Sequence, residues 1–412
     1  MKDKPKTLMP KLRFPEFKDG PAWEEKALKD VCEVNPQSNG LPESFVYIDL
    51  ESVEGGALLS RKRIEQKDAP SRAQRLLNNG DVVFQIVRPY QRNNLFVQFN
   101  DGQAYVASTG YAQLRAYESD SFLYQLVHTD TFVDKVIAKC TGSSYPAINS
   151  NDLAEVPVFV PKPAEQRKIA ACLTSLDEWI AAEGRKLEAL RTHKKGLMQQ
   201  LFPREGETRP RLRLFAFRKA PAWEPKALGQ VLLETPRPID MIDNADYSLV
   251  TVKRRYGGVV SRGVMKGKAI LVKSQFLVYT DDFLISKRQI VHDSCGLVPA
   301  VLEGSVVSNE YCVMTPKPGY SIHFFNYFVQ QPCVSRSFLQ ASVGIVIEKM
   351  LFKLESWLKM EFLFPSFEEQ QQIAVCLSSL DALISAQSRK LNSLRTHKKG
   401  IMQQLFPSPE GV

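Results

Sequence analysis

Two stretches of the chain place apolar side chains in alternating steps of four and three. The first runs Ile169, Leu173, Leu176, Ile180, Leu187, Leu190, Leu197 and Leu201, with Glu183 and Lys194 standing where two more apolar residues belong. The second runs Ile373, Leu377, Leu380, Ile384, Leu391, Leu394, Ile401 and Leu405, with Gln387 and Lys398 in the matching gaps. This spacing lays one apolar stripe along an α-helix, and its mean step of about 3.5 residues is that of a coiled-coil seam. Pro161, Pro163 and Pro365 precede the stripes, and Pro203 and Pro407 follow them. Proline is tolerated at a helix start and stops a helix beyond it. The pattern predicts two helices of about 36–40 residues, each ~55–60 Å long at ~1.5 Å per residue.

The two helices are copies. Pro161 to Pro203 lies on Pro365 to Pro407 at a shift of 204, and "RTHKKGLMQQLFP" differs from "RTHKKGIMQQLFP" only at Leu197 against Ile401. At a shift of 200, "LRFPEFKDGPAWEEKALKDV" from Leu12 meets "LRLFAFRKAPAWEPKALGQV" from Leu212. "VASTGYAQLRA" and "VVSNEYCVMTP" echo each other more faintly, while 35–105 and 235–305 hardly align. The chain is therefore a two-fold internal repeat. "FPREGETRPRLRLF" reads as a connector between the halves.

Each apolar seam needs a partner, and each half supplies the other's. A globular half-domain between the helices allows them to pair antiparallel. In that register Glu183 and Gln387 face each other near the middle, where one buried polar pair fixes register at a cost in stability. The twin "RTHKK", with His193, Lys194, His397 and Lys398, has two readings. It is a solvated basic face near a helix C-terminus, or a docking surface, since its outward positions match as well as its seam.

The remaining segments read as mixed α and β. "DVVFQIV" from Asp81, "NLFVQF", "FLVYTDDFLIS" from Phe276 and "VVSNEYCVM" are strand-like, and "NNGD" signals a turn before the first. "FLYQLVHTDTFVDKVIAKC", from Phe122 to Cys140, has helical spacing.

Composition sharpens this picture. The 412 residues exceed what one core usually serves, so two or more domains are expected. Fifty-four Lys and Arg against 45 Asp and Glu leave +9. From Ser60 to Arg92 the net charge is +5, and from Thr251 to Ile290 it is +7. The positive charge is thus local to the segments where the halves differ. The first window carries Arg61, Lys62, Arg63, Arg72, Arg75, Arg88 and Arg92, followed by Asn93, with Tyr90 and Gln91 interleaved. The second carries Lys253, Arg254, Arg255, Arg262, Lys266, Lys268, Lys287 and Arg288, with Tyr256 and Gln289. Lys and Arg neutralise phosphates, and Arg, Asn and Gln read base edges, so the two clusters point to nucleic acid. A solvated charged loop is the bland reading for any single residue.

A catalyst is harder to find. The chain has no phosphate-binding G-x-x-x-x-G-K-[ST] loop, and "GVMKGKA" lacks both spacing and hydroxyl. "NPQS" lacks the form an adenine methyltransferase motif needs. "HDSC" at His292–Cys295 sets tempting residues side by side, but triads assemble in space rather than in sequence. Seven cysteines, with no CxxC, suggest neither zinc nor a disulfide framework, and a reduced cytoplasmic setting fits. The N-terminus shows no signal-peptide core, and no apolar run of 18 residues suggests a membrane span. The chain reads as a binder without metal or cofactor.

At this point the pattern resembles a known family, the DNA-specificity subunits of type I restriction–modification systems. "GSSYPAINSNDLAEVPVFVPKPAEQRKIAACL" from Gly142 is similar to that family's end of a recognition domain entering its spacer helix, and "PSFEEQQQIAVCL" repeats the junction. "GDVVFQIVRPYQRN" from Gly80 resembles its strand and DNA-facing loop, and "VASTGYAQLR" its next strand. The second half departs, since "DDFLISKRQIVHDS" lacks the leading Gly and the Arg-Pro, and the segment from Ser342 to Pro365 is looser.

The resemblance implies an α+β chain. Its target-recognition domains, 1–160 and 212–364, are separated by antiparallel coiled-coil spacer helices at 161–203 and 365–407, with a linker at 204–211 and a tail at 408–412. It implies a non-catalytic subunit in a bacterial or archaeal cytoplasm that reads a split, asymmetric site in double-stranded DNA. Two methyltransferase subunits would dock on the helices, S-adenosylmethionine being bound by them, and restriction subunits would join in the full complex. A basic coiled-coil adaptor without sequence preference, or an unusual nuclease, is the reading from a different class. The recognised sequence and the gap between half-sites are not encoded in any legible way.

Overall fold

The computed structural model describes residues 7–38, 40–142 and 144–408. The opening "MKDKPK" and the final four residues of the tail lie outside them. Two compact units emerge, and neither is a continuous stretch of chain. One holds residues 1–184 and 389–412, and the other holds 185–388. The boundaries cut both long helices, α1 (Pro163–Gln200) and α2 (Phe367–Leu405). Their 38 and 39 residues match the predicted length.

In the first unit, strands Leu95–Phe96, Val82–Gln85, Tyr111–Ala116 and Cys32–Val34 lie in that order in one antiparallel sheet. A second sheet orders Lys62–Glu65, Ser44–Ile48, Tyr105–Ser108 and Ala73–Leu77. Within it Tyr105 to Ala107 run parallel to Val46 to Ile48. The strand-like runs read from the sequence fall in these sheets. The helical run from Phe122 divides into Asp120–Leu126 and Asp130–Ala138, because the Thr129 hydroxyl accepts from Phe132 N and caps a new helix.

In the second unit the same order recurs: Cys295–Leu297, Phe283–Ser286, Tyr311–Pro316 and Leu232–Glu234 in one sheet. The other sheet runs Pro238–Ile239, Gln275–Leu277, Val306–Ser308, Asp246–Val252 and Val259–Lys266, again with one parallel pairing, at Leu249 and Val306. The segments that hardly align in sequence therefore share one strand order, to which the second unit adds the edge strand Pro238–Ile239. The departure at "DDFLIS" is also resolved. Asp281 takes the positive φ of 67° where Gly80 has 91°, and Asp282 accepts from Tyr279 N just as Asp81 accepts from Asn78 N. Both carboxylates are buried and each is held by an arginine, Arg115 for Asp81 and Arg237 for Asp282.

The helices run antiparallel inside each unit. In the first, Lys398 binds Asp177 at 2.6 Å and Lys390 binds Glu183 at 2.5 Å. In the second, Lys194 binds Asp381 at 2.6 Å. Ile169, Leu173, Leu187, Ile373, Leu377 and Leu391 are buried, and Leu176, Ile180, Leu190, Leu197, Leu380, Ile384, Leu394 and Ile401 are half-buried, so the predicted stripe is the packed face. Gln387 is buried with them and Glu183 is half-buried. Each helix ends by plugging a core. Phe406 packs on Trp23 and Phe122 with ring centres 5.8 and 5.5 Å apart, and Phe202 packs on Trp223 and Phe324 at 6.0 and 5.5 Å. A backbone bond from Leu12 N to Gln404 O, matched by Leu212 N to Gln200 O, seals each plug.

A candidate DNA interface in each domain

Among the described residues, seven non-glycine positions have positive φ, and four of them, Arg88, Arg92, Arg255 and Tyr256, come from the predicted DNA-binding positions. Left-handed backbone costs roughly 1–2 kcal/mol per residue outside glycine, so its clustering marks a loop held for a purpose other than stability.

In the first unit the strand Val82–Gln85 leads into the short turn Pro89–Gln91, with Arg88 and Arg92 left-handed on either side. Most side chains around it are braced. Gln85 Nε2 donates to Gln91 Oε1, and Asn93 Oδ1 accepts from Gly55 N. Arg92 binds Asp130 at 2.6 Å and donates to His128 O. The Arg88 guanidinium sits 4.3 Å from the centre of the Tyr145 ring, which is 65% exposed, and Tyr90 is exposed beside it in sequence. Gly55 and Gly56 form the tight turn between Val53–Glu54 and Ala57–Leu58, both with positive φ, and a Cβ on Gly56 would meet Tyr124 Oη at 2.7 Å.

The second unit builds the same loop pair from other residues. Arg255 and Tyr256 occupy the tight turn that Gly55 and Gly56 make in the first, closed by Gly257 N donating to Arg254 O. Arg255 N and Tyr256 N donate to His292 O and Asp293 O, so this turn docks on the one after the strand Phe283–Ser286. Arg254 Nε donates to Gln289 Oε1, Lys287 Nζ to Asn309 O, and Arg288 pairs with Glu310 at 2.8 Å. Tyr256 points inward, with its hydroxyl on Asp293 Oδ1 and Val329 O, and burial drives its pKa well up. Tyr256 therefore braces the loop. Lys253 and Arg255 stay exposed.

The other predicted residues lie apart. Arg61, Lys62 and Arg63 sit at one edge of the mixed sheet, where Arg61 meets Asp101 and Arg63 donates to Ser44 Oγ. Arg72 and Arg75 belong to the opposite edge. Burial lowers the Arg75 pKa. Arg262, Lys266 and Lys268 lie along and just beyond the edge strand Val259–Lys266, with Lys266 near Asp246 at 3.3 Å. On the helices, Lys194 and Lys398 are engaged by Asp381 and Asp177, whereas His193 and His397 are exposed.

The "HDSC" side chains diverge. Asp293 accepts from Tyr256 and Ser335, Ser294 donates to Val252 O, and Cys295 is buried in the core, its thiol pKa pushed well up. Sequence reading missed Gly55, Gly56, Asp293 and Tyr145. Strand order alone links the glycine pair to Arg255 and Tyr256, since each turn lies between the two paired strands at the same edge of its mixed sheet. Among the described residues, no helix is long and apolar enough to cross a membrane, and no group of His, Cys, Asp and Glu is placed to hold a metal.

A family model described as the type I restriction modification DNA specificity domain matches residues 21–192 and again 222–396. The HindI type I restriction enzyme specificity subunit of Haemophilus influenzae is 26% identical over 166 residues, covering 38% of this chain and 36% of that protein. The match thus spans about a third of the curated relative's length. Two solved chains share the fold. One, from a study of complex assembly and conformational transition of the type I R-M system, gives a TM-score of 0.55 at 22% identity, covering 94% of this chain and 98% of that one. The other, the type I restriction–modification S subunit from M. genitalium, gives 0.58 at 13% identity, covering 97% and 100%. Matched twice, over most of its length, the chain belongs to the type I restriction modification DNA specificity domain family.

Proposed function

We propose that this chain is the DNA-reading subunit of a type I restriction–modification complex, and that each unit reads one half of a bipartite, asymmetric site. The observation that carries the reading is one scaffold built twice with two different basic, strained loop pairs. Two half-sites of different sequence need two different surfaces. Lys253, Arg255, Tyr90 and the Arg88 guanidinium on the Tyr145 ring would contact the duplex, with flanking lysines and arginines positioning it on phosphates.

The helices serve the partners. Their exposed, twice-repeated residues Arg191, Thr192, His193 and Lys195, and Arg395, Thr396, His397 and Lys399, form matching surfaces for two copies of one methyltransferase subunit. S-adenosylmethionine and adenine methylation belong to that partner, which must draw the adenine out of the stack. Restriction subunits join through it, and the chain itself performs no chemistry.

Adenine methylation mapped across a genome carrying this chain and its methyltransferase should show one split motif that vanishes when the chain is deleted. An unchanged methylation pattern overturns the reading. Purified complex should prefer that motif over random duplex by ~10³-fold or more. Absence of preference indicates a general basic adaptor instead.

A further inference from the structure

The loop from Val343 to Ile347 exposes four large aliphatic side chains in five residues. Val343 is 63% exposed, Ile345 103%, Val346 49% and Ile347 51%. Single exposed aliphatics are ordinary, but a contiguous group on a loop tip marks a contact surface. Its base is firm. Ser342 and Val343 pair with Leu351 and Phe352, and Phe352 is buried against Phe338 and Trp357.

The same base joins the loop to the candidate interface. Phe352 N donates to Lys287 O, so the base of the apolar tip is tied to the turn that carries Lys287, Arg288 and Gln289. Gln289 in turn holds Arg254, and the loop itself carries one exposed charge of each sign, Glu348 and Lys349, so the local positive charge comes from Arg254, Lys287 and Arg288. The first unit carries an equivalent loop, where Ile148 N donates to Ile86 O and Arg88 N to Pro146 O. Its tip is Tyr145, lying against Arg88. In each domain, then, an exposed aromatic or aliphatic tip sits on a loop bonded through its backbone to the basic turn.

Cations around an apolar tip match a duplex, whose phosphates flank stacked, apolar base faces. We propose, resting on the reading above, that Ile345 and Ile347 form a wedge that enters between base pairs of the half-site read by the second unit and kinks the duplex there. Apolar side chains inserted at a base step unstack it, and the bent duplex then covers more protein surface.

The test uses the full chain with its methyltransferase, on duplexes carrying the mapped motif with 2-aminopurine at successive positions. The wild-type complex should raise 2-aminopurine fluorescence at one step of that half-site. Ile345→Ser with Ile347→Ser should abolish the rise and weaken binding by about tenfold or more. The slope of log affinity against log salt should not change, because no charge is removed. Lys349→Gln should instead flatten that slope and keep the fluorescence rise. Ile345→Phe, which keeps an apolar tip, should also keep it. Both isoleucines are solvent-exposed, so an unchanged melting temperature separates this effect from misfolding. A double-serine variant with wild-type affinity and fluorescence sinks the wedge while leaving the DNA reading intact. So does one that binds the duplex normally but loses the methyltransferase or loses adhesion to anionic vesicles. A wild-type complex that shows no preference for the motif sinks both.

Discussion

Arg255 and Tyr256 hold a turn that the first domain gives to Gly55 and Gly56, and the substitution has a thermodynamic signature. Left-handed backbone penalises any side chain with a Cβ, while glycine's flexibility in the unfolded chain recovers part of that penalty. Arg255→Gly is therefore expected to raise unfolding stability by about 0.5 kcal/mol and to weaken DNA binding, the exchange that a strained functional loop makes. Denaturant unfolding and duplex titration on one preparation check both signs. His128 carries a second residue-scale prediction. Its Nδ1 donates to Tyr124 O, Asn94 donates to its Nε2, and Lys398 and Arg92 add positive charge nearby. It lines a cleft of about 530 Å³ together with Arg92, Asp130 and Lys398. Burial is the main cause that lowers its pKa from 6.5 to about 4, against the opposing pull of the Tyr124 carbonyl and Asp177, with Lys398 and Arg92 adding to the fall. The folded state thus excludes a proton that the unfolded chain accepts. Stability from this group is full above pH 6.5 and drains away as pH falls towards 4. His128→Asn should flatten the acid limb of a stability–pH curve between those values, and an unaltered limb refutes the assignment.

At the scale of elements, the repeated helix ends have acquired a structural explanation. Seam packing accounts for about two positions in seven, yet thirteen residues match almost completely. Leu201, Phe202, Leu405 and Phe406 are core plugs, and Lys194 and Lys398 bind the aspartates of the facing helix, which leaves the identity of the outward residues unexplained by packing. The helix starts are fixed as firmly. Arg13 grips Glu165 through two contacts of 2.7 and 2.6 Å and also donates to Gly20 O and Pro21 O. Arg213 grips Glu369 through 2.8 and 2.6 Å. With side chains 7% and 3% exposed in the first pair, losing one partner strands a buried charge. Glu165→Gln should cost about 3 kcal/mol in urea unfolding, and adding Arg13→Met should restore a large part of it. A cost below about 1 kcal/mol would show that the pair is solvated like a surface bridge.

Over the whole molecule, what the sequence disclosed and what it hid have one physical cause. Heptads survive as a pattern because burial demands only that an apolar residue recur, so both helices, their lengths and their antiparallel pairing were legible. The recognition segments share a topology that the sequence hid. A sheet tolerates any apolar strand residue, and a left-handed position accepts Gly80 or Asp281, Gly55 or Arg255, without changing the fold. The inward turn of Tyr256 was also hidden, because its acceptors, Asp293 and Val329 O, lie 37 and 73 positions away. Two hydrophobic cores, one around Trp23 and Phe406 and one around Trp223 and Phe202, keep each loop set in its own unit. Changes in one loop set should therefore leave the other's readout untouched, as additivity holds between sites that share no partners. Arg88→Ala should broaden the methylated motif in one half-site alone, at a discrimination cost of about 1–3 kcal/mol per lost base contact. Arg254→Ala with Gln289→Ala should broaden only the other. Motif mapping in cells carrying each variant reads this directly. Degeneracy spreading across both halves would mean that these side chains set duplex geometry as a whole, and uniform loss of methylation would place them on phosphates rather than bases.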